Sequence, residues 1–505
     1  MERESTASKN GKEPKKIIII GAGIAGLSAG IYARRNGYEA TIYELHYLPG
    51  GLCTAWKREG FTFEGCMHYV GLVGASPTHT YYNQWKELGA LPGMKLFYHD
   101  IFHTFRDVTG RTLNLYSDVT RLEKELLSLS PVDAKEIKAL CAAVRQYSWF
   151  IRTTGKNPLR LIAKAVGILR GIPLLKKYGS MNMGEYAARF HDPLIRYALT
   201  CLFGYPDFAC TNIFFFLAGL HIQGTGFPQG SSLSFAKTIE RTFLELDGKI
   251  EYRKKVKRIL VENGQATGIE LDNGSVEKAD IVISAADGHA TLFDMLEDRF
   301  TPPALRERFA TRPLYPPFVQ VSLGVNRDLS GAPHVVKAQT AAPFEIAGRT
   351  RQELWYQHYA FDPSMAPQGK TSLTVIYPSD LAWWEELGYQ SEAYKAEKNK
   401  ILDTTIAQLE QVLPGISSQI DTSDVATPFT TCRYTHNWKA SLGFMMTETL
   451  AAEMVMKPQY ALPGLDHFYM TGMWVKGFGV PLAAASGKEV IQKICNAGGR
   501  KFVAG

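Results

Sequence analysis

The residues with the clearest capacity for chemistry are three glycines and an acid near the start of the chain. Gly21, Gly23 and Gly26 give the spacing G-x-G-x-x-G, and Glu44 follows. Gly21 permits a tight turn, Gly23 lets a pyrophosphate approach the backbone, and Gly26 lets a helix pack on a strand. A helix opening at this turn presents free N–H groups and the positive end of its dipole to the phosphates. A carboxylate at Glu44 is placed to accept hydrogen bonds from a ribose diol. The chemistry is that of a dinucleotide site. The alternative is a glycine-rich turn that binds nothing.

The flanking elements decide between the two. Ile17 to Ile20 are four consecutive isoleucines, the pattern of a strand buried on both faces. Ala29, Ile31, Tyr32 and Ala33 continue as a helix that ends near Asn36-Gly37. Thr41-Ile42-Tyr43 is a second strand, closed by Glu44. Strand, glycine turn, helix, strand and acid stand in the order that a dinucleotide fold requires. A second diglycine, Gly50-Gly51, follows the acid, and an extended segment runs from Gly60 to Gly65. A domain for NAD alone would continue with another strand–helix–strand unit here. The diglycine instead suits a flavin dinucleotide, whose pyrophosphate and ribityl chain need close backbone.

With 505 residues the chain is too long for one simple domain. Hydrophobic residues at 45% and charged residues at 21% are those of a soluble globular protein. No apolar run is long enough to span a membrane. The polar start, Met1 to Lys16, lacks the apolar core of a secretory signal and reads as a disordered leader. The seven cysteines are scattered without a C-x-x-C, which fits a reducing cytoplasm and speaks against zinc or a disulfide frame. A net charge of +7 is mild, and no nucleic-acid motif is present.

Beyond the first unit, Leu96–His103 and Thr112–Tyr116 are strand candidates, and Asp118 to Tyr147 carries helical periodicity. No acid occurs between Glu136 and Glu185. Within that gap Leu159, Ile162, Val166 and Leu169 share one helix face, and Lys156, Arg160 and Lys164 share another. Such a basic amphipathic helix reads as one that lies on an anionic bilayer through residues 156–177. Its alternative is a solvated helix over the core. Asn212–Ile222 reads as a buried helix lining an apolar pocket. From Gly226 to Asp287 the pattern is loop, helix and a series of strands, with turns at Asn263-Gly264 and Asn273-Gly274. The basic run Arg253–Arg258 reads as a solvated strand face, with a phosphate site as its alternative. Phe318–Val325 and Leu373–Tyr377 read as strands and Ala393–Leu413 as a helix. Trp383, Trp384, Phe429, Trp438 and Phe444 make this region aromatic, either as core or as the wall of a greasy channel. Near the end, Phe468–Thr471 is a strand, Gly472 opens a turn, Gly477 and Gly479 permit close approach, and a helix starts at Val480. Its N-terminus, aimed at a flavin, would stabilise negative charge on the reduced ring.

Taken together, GAGIAGLSAGIYARRNGYEATIYE with LPGG, GFTFEG, GFPQGSS with GKIEYRKKVKRI, ADIVISAAD and GMWVKGFGVPLAAASGK resemble the FAD-dependent amine oxidase superfamily. Within it the chain is most similar to bacterial-type phytoene desaturases, carotenoid isomerases and retinol saturases. The resemblance implies an α/β fold: a discontinuous Rossmann-like FAD-binding domain (14–75, 225–300 and 460–498), an inserted mixed α+β substrate domain (76–120 and 301–459), and a helical, membrane-contacting subdomain (121–224). It implies FAD held at its pyrophosphate by Gly21, Gly23, Ala25 and Gly26, and at its ribose by Glu44. Gly50, Gly51 and Leu52 would follow the ribityl chain, and Val256 would meet adenine. Gly472, Met473, Gly479 and Val480 would lie by the flavin ring. Many relatives carry Arg where this chain has Leu52, and Asp where it has Met473.

The implied activity is hydride transfer between FAD and the carbon–carbon bonds of a carotenoid, isoprenoid or other lipid. The direction is open among desaturation, saturation and isomerisation. With no separate NAD(P) domain, an electron acceptor or donor from outside is required. His436 and Arg433 are the polar residues expected near the substrate, with His68 behind them. No metal site and no nucleic-acid partner are expected. The expected location is the cytoplasm, at the membrane surface. Two alternatives stand beside this one: a flavin-dependent amine oxidase, and a lipid carrier of the same fold without flavin chemistry, like the Rab escort relatives.

Overall fold

The computed structural model describes residues 14–152, 169, 171–174, 176–445 and 458–505. The four isoleucines lie at the centre of strand β1 (Lys16–Ile20), each at most 4% exposed. β1 is central in a five-stranded parallel sheet of order Lys249–Tyr252, β2 (Glu39–Glu44), β1, Ile281–Ser284, Phe468–Met470. A strand flanked on both sides and covered on both faces has no polar position to offer, which is why the run is unbroken isoleucine. Helix α1 (Ile24–Arg35) packs against the helices Ser231–Glu245 and Val480–Ala497. Contacts are close. A Cβ on Gly30 would meet Phe243 at 2.7 Å, and one on Gly487 would meet the Ala25 carbonyl at 2.4 Å.

Two further bodies complete the molecule. A seven-stranded sheet has the order Ile420–Ala426, Phe318–Val325, Thr371–Pro378, Arg349–His358, Val335–Ile346, Ile101–Arg106, Thr112–Tyr116. Only the pair Val335–Ile346 with Ile101–Arg106 is parallel. The helix Glu392–Val412 covers it with Tyr394, Ile401 and Leu409 buried. The second body is helical: Val119–Leu129, Ala134–Ile151, Met183–Ala187, Pro193–Cys201 and Thr211–His221 share one buried cluster. Among the described residues, no helix is long and apolar enough to cross a membrane.

Several elements differ from the sequence reading. The stretch Leu96–His103 is two strands in different sheets: Leu96–Phe97 pairs with Thr225–Pro228, and Ile101–Arg106 joins the seven-stranded sheet. Glycine and proline in GFPQGSS suggested a loop, yet its first residues form the strand Thr225–Pro228. Helical periodicity from Asp118 to Tyr147 is broken at Pro131, which has no N–H to continue a helix. The basic stretch 156–177 falls mostly outside the described residues. The helix Tyr82–Glu87 places Trp85 in the core beside the parallel sheet, edge-on to Phe235 at 5.3 Å.

Candidate functional site

β1 ends at Gly21, whose φ of +96° turns the chain sharply. A Cβ on Gly26 would sit 2.0 Å from the Gly21 carbonyl, so Gly26 locks the turn from behind. Gly26 is not among the residues that line the cavity. Gly23 is different: a Cβ there would meet no atom within 4 Å, because it faces open space. The Gly50 N–H donates to the Ala22 carbonyl at 2.8 Å, and Gly23 and Gly50 pair as a bridge. The two glycine turns therefore form one backbone floor. α1 rises from that floor with no side-chain cap and no acid in its first turn, leaving its N–H groups free for an anion. Glu44, 8% exposed, accepts the Ala22 N–H at 2.6 Å and the His46 N–H at 2.8 Å. Burial raises its pKa against those donors.

The C-terminal unit approaches from the other side. Gly472 follows the strand Phe468–Met470, donates to Ser486 Oγ at 2.9 Å and starts the short helix Met473–Lys476. Gly479 starts the long helix Val480–Ala497, again with no side-chain cap. These pieces surround a single cavity of about 1160 Å³. Gly21, Gly23, Ala25, Glu44, Gly50, Gly51 and Leu52 line it, as do Val256, Gly472, Met473, Gly479 and Val480. The volume exceeds the ~300–1,000 Å³ of a usual single-ligand pocket. The glycine floor, the open face of Gly23 and two uncapped helix starts on one cavity fit FAD with room left for a substrate.

Beyond the glycine floor the wall changes character. Glu64, fully buried, is a residue that motif reasoning passed over. Its Oε1 accepts the N–H groups of Gly65, Cys66 and Met67 at 3.0, 2.9 and 3.2 Å, and its Oε2 accepts that of Ser232 at 2.8 Å. The carboxylate folds the 65–67 loop against the helix that starts at Ser231. A buried acid at the end of the strand Phe61–Glu64, directly before Gly65, is the signal that could have found it. The loop delivers His68 to the cavity. His68 Nδ1 lies 3.3 Å from Tyr359 Oη, and burial lowers its pKa to about 4, so the imidazole is neutral. Past it the wall is aromatic: Tyr69, Phe203, Tyr205, Phe216, Tyr315 and Trp355. Asn212 and Phe215 also reach it from the helix Thr211–His221, as expected of that segment. Lys337 also lines the cavity, 3.8 Å from the Trp355 ring centroid. Its ammonium is occupied by the carbonyls of Cys201 and Leu202 at 2.7 and 2.8 Å.

One expectation requires correction. His436 lines the cavity at the nucleotide end, not among the substrate aromatics: its charged neighbours are Lys255, Asp272 and Asp294. The adjacent Tyr434 meets the His46 ring edge-on at 4.8 Å. Arg433 is outside the cavity wall and reaches Tyr389 Oη at 3.3 Å. The helix Pro428–Thr435 leaves the substrate sheet but carries these side chains to the end where Glu44 sits. Of the two readings left open for Trp383, Trp384, Phe429, Trp438 and Phe444, core packing is the one found: all lie off the cavity and pack. Lys254, Lys255 and Lys257 of the basic run line the nucleotide end, with Lys257 exposed.

The model of the family described as flavin containing amine oxidoreductase matches residues 24–495. Prolycopene isomerase of Daucus carota is 24% identical, over 96% of this chain and 81% of the carrot protein. The neurosporene-forming phytoene desaturase of Rhodobacter capsulatus is 23% identical, over 97% of this chain and 96% of that protein. Among solved structures, an oxidoreductase from Methanosarcina mazei aligns with a TM-score of 0.59 at 19% identity, covering 94% of this chain and 100% of the other. Putrescine oxidase bound to putrescine aligns with a TM-score of 0.59 at 12% identity, covering 96% and 99%. With its glycine floor and the family model spanning nearly the whole chain, the protein belongs to the flavin-containing amine oxidoreductase family and is an FAD-dependent oxidoreductase.

Proposed function

We propose that the protein acts on the carbon–carbon bonds of a long apolar substrate, a carotenoid, isoprenoid or other lipid, as a desaturase, saturase or isomerase. One observation carries this reading. The acids on the cavity wall are Glu44, Asp272, Asp287 and Asp294, and all belong to the nucleotide half. Among the described residues, the aromatic half has no carboxylate on its wall. A protonated amine entering there would lose its hydration without meeting a counter-charge, at a cost of several kcal/mol. A hydrocarbon chain loses nothing and gains apolar contact. The names of the carotenoid-related relatives agree with this reading.

FAD, when bound, supplies the two-electron hydride chemistry. The chain's own residues bind, orient and exclude water. The Gly23–Gly50 floor and the α1 N-terminus hold the pyrophosphate. Glu64 fixes the loop that presents His68. Neutral His68, steadied by Tyr359, offers a polar group to the cavity. The aromatic walls keep the reacting carbons dry. Incubating the holoenzyme with phytoene-type and lycopene-type polyenes, and analysing products by chromatography, tests the reading. New double bonds, lost double bonds or shifted geometry would each support it. Turnover of amines with peroxide release, and none of polyenes, would replace it with the amine-oxidase reading. A protein that cannot be loaded with flavin would leave the lipid-carrier reading.

Contact with an anionic membrane belongs to the same proposal. Trp149, Leu169 and Ile172 are exposed at 53%, 65% and 42%, next in sequence to the basic residues Arg152, Lys176 and Lys177. Phe150 and Ile151, beside Trp149, line the cavity, so lipid could enter from this face. Sedimentation with anionic vesicles at low salt, absent with neutral vesicles, is the expected result. Equal failure with both would remove the membrane from the account.

A further inference from the structure

Cys53 and Cys66 flank a short ribbon in which Ala55–Arg58 pairs antiparallel with Phe61–Glu64. Ala55 faces Glu64, and the Gly65 N–H donates to the Thr54 carbonyl at 3.0 Å. Beyond the last pair of the ribbon, the Cys53 and Cys66 thiols remain within hydrogen-bond reach of each other, a proximity that suits the ~4.4–6.8 Å Cα separation a disulfide spans. Both side chains line the cavity, between the Gly50-Gly51 turn and His68. Cys53 is 3% exposed, with its Sγ 3.5 Å from the Ser232 carbonyl, whereas Cys66 is the more open of the two. The position is stiff: Glu64 clamps the Cys66 N–H on one side, and the Gly50 turn holds the Cys53 N–H on the other.

We propose that Cys53 and Cys66 form a reversible cross-strand disulfide that exchanges two electrons with the bound flavin. The step balances. Two S–H bonds break and one S–S bond forms, and the two electrons and two protons released reduce oxidised flavin to the dihydroflavin. An external thiol or dithiol restores the pair by thiol–disulfide exchange at Cys66, which the cavity exposes. The neighbouring Cys66 and burial hold the Cys53 thiol well above its usual range, which leaves the more open Cys66 as the sulfur that meets an external thiol. The pair thus provides an entry for electrons from an external thiol to the flavin. The inference rests on FAD and not on the polyene reading, because any substrate oxidised or reduced by this flavin would meet the same pair.

The test oxidises purified holoenzyme with excess diamide, removes the oxidant by gel filtration, and titrates it anaerobically with dithionite. The wild type is expected to take up about four electrons per FAD before the flavin bleaches fully, and Cys53→Ser and Cys66→Ser about two. Peptide mass spectrometry of the oxidised wild type, alkylated without reduction, should show Cys53 and Cys66 in one cross-linked peptide. This readout needs neither turnover nor a variant that folds. A wild type that takes up about two electrons overturns the exchange, even if the cross-link is present. Absence of the cross-link, or serine variants that still take up about four, overturns the pair itself.

Discussion

The Ser232 N–H donates to Glu64 Oε2 at 2.8 Å, and this bond ties the two halves of the cavity together. Ser232 belongs to a helix against the nucleotide sheet, while Glu64 also folds the loop that carries Cys66 and His68. Glu64→Gln keeps the shape but offers one acceptor where four N–H groups converge. Leaving buried donors unpaired costs about 1–3 kcal/mol. The variant should lose flavin on gel filtration and melt a few degrees lower. A wild-type flavin-to-protein ratio in Glu64→Gln would show that the loop is held by something else.

Two glycines three residues apart should fail in different ways. Gly23→Ala projects a methyl group into the cavity and touches nothing in the protein. It should fold with an unchanged Tm and fail to retain FAD. Gly26→Ala drives a methyl group to 2.0 Å from the Gly21 carbonyl and should destabilise the fold itself. Thermal melts read beside flavin absorbance separate the two. Equal loss of stability in both variants would mean that Gly23 is not open to the ligand.

The two histidines on the cavity wall should also divide. His436 stands near Lys255 and Asp272 at the nucleotide end. His436→Ala should weaken FAD retention and leave the turnover of the flavin-saturated enzyme unchanged. His68→Gln should keep its flavin and lose roughly tenfold or more in kcat. The reverse pattern would restore His436 to the substrate end.

Stability should fall as the solution is acidified below neutrality. The rings of His99 and His334 stack at 3.5 Å, between Phe227 and Phe361. Burial, then His358, lowers the pKa of His99 to about 4, and burial, then His99, His103 and His358, holds His334 well below its usual range. A folded-state pKa below the unfolded value means that the unfolded chain binds more protons. The stability is therefore full above about 6.5 and is lost as pH falls towards 4. Asp287 works in the opposite sense. Burial raises its pKa to about 6, so its contribution is lost as pH rises through that value. Melts between pH 7.5 and 4.5 should show a falling Tm, and His99→Phe should flatten the slope. A slope unchanged by that variant would clear the stacked pair of responsibility.

Much of the nucleotide half was legible because its signals are local. The isoleucine run, the glycine spacing and Glu44 lie within one strand–helix–strand unit, where neighbours in sequence are neighbours in space. The remainder depends on distant pairings. Glu64 gains its meaning from Ser232, and Cys53 from Cys66, through contacts that the composition of neither segment announces. His436 misled because it follows a strand of the substrate sheet, while a short helix carries it back to the nucleotide end. The tryptophans left two readings open. Bulk suits a channel wall and a core equally, and Trp384 is spent on the core, with its Nε1 donating to Ser379 Oγ at 2.9 Å.

The most direct test of the central claim is a visible spectrum of the purified protein, taken together with mass spectrometry of the lipid extracted from it. The account predicts a flavin spectrum, a co-purified polyene or isoprenoid, and no bleaching when amines are added without air. A flavin that amines bleach, in a protein free of lipid, would contradict the apolar substrate. A colourless protein that takes up no FAD would contradict the site itself.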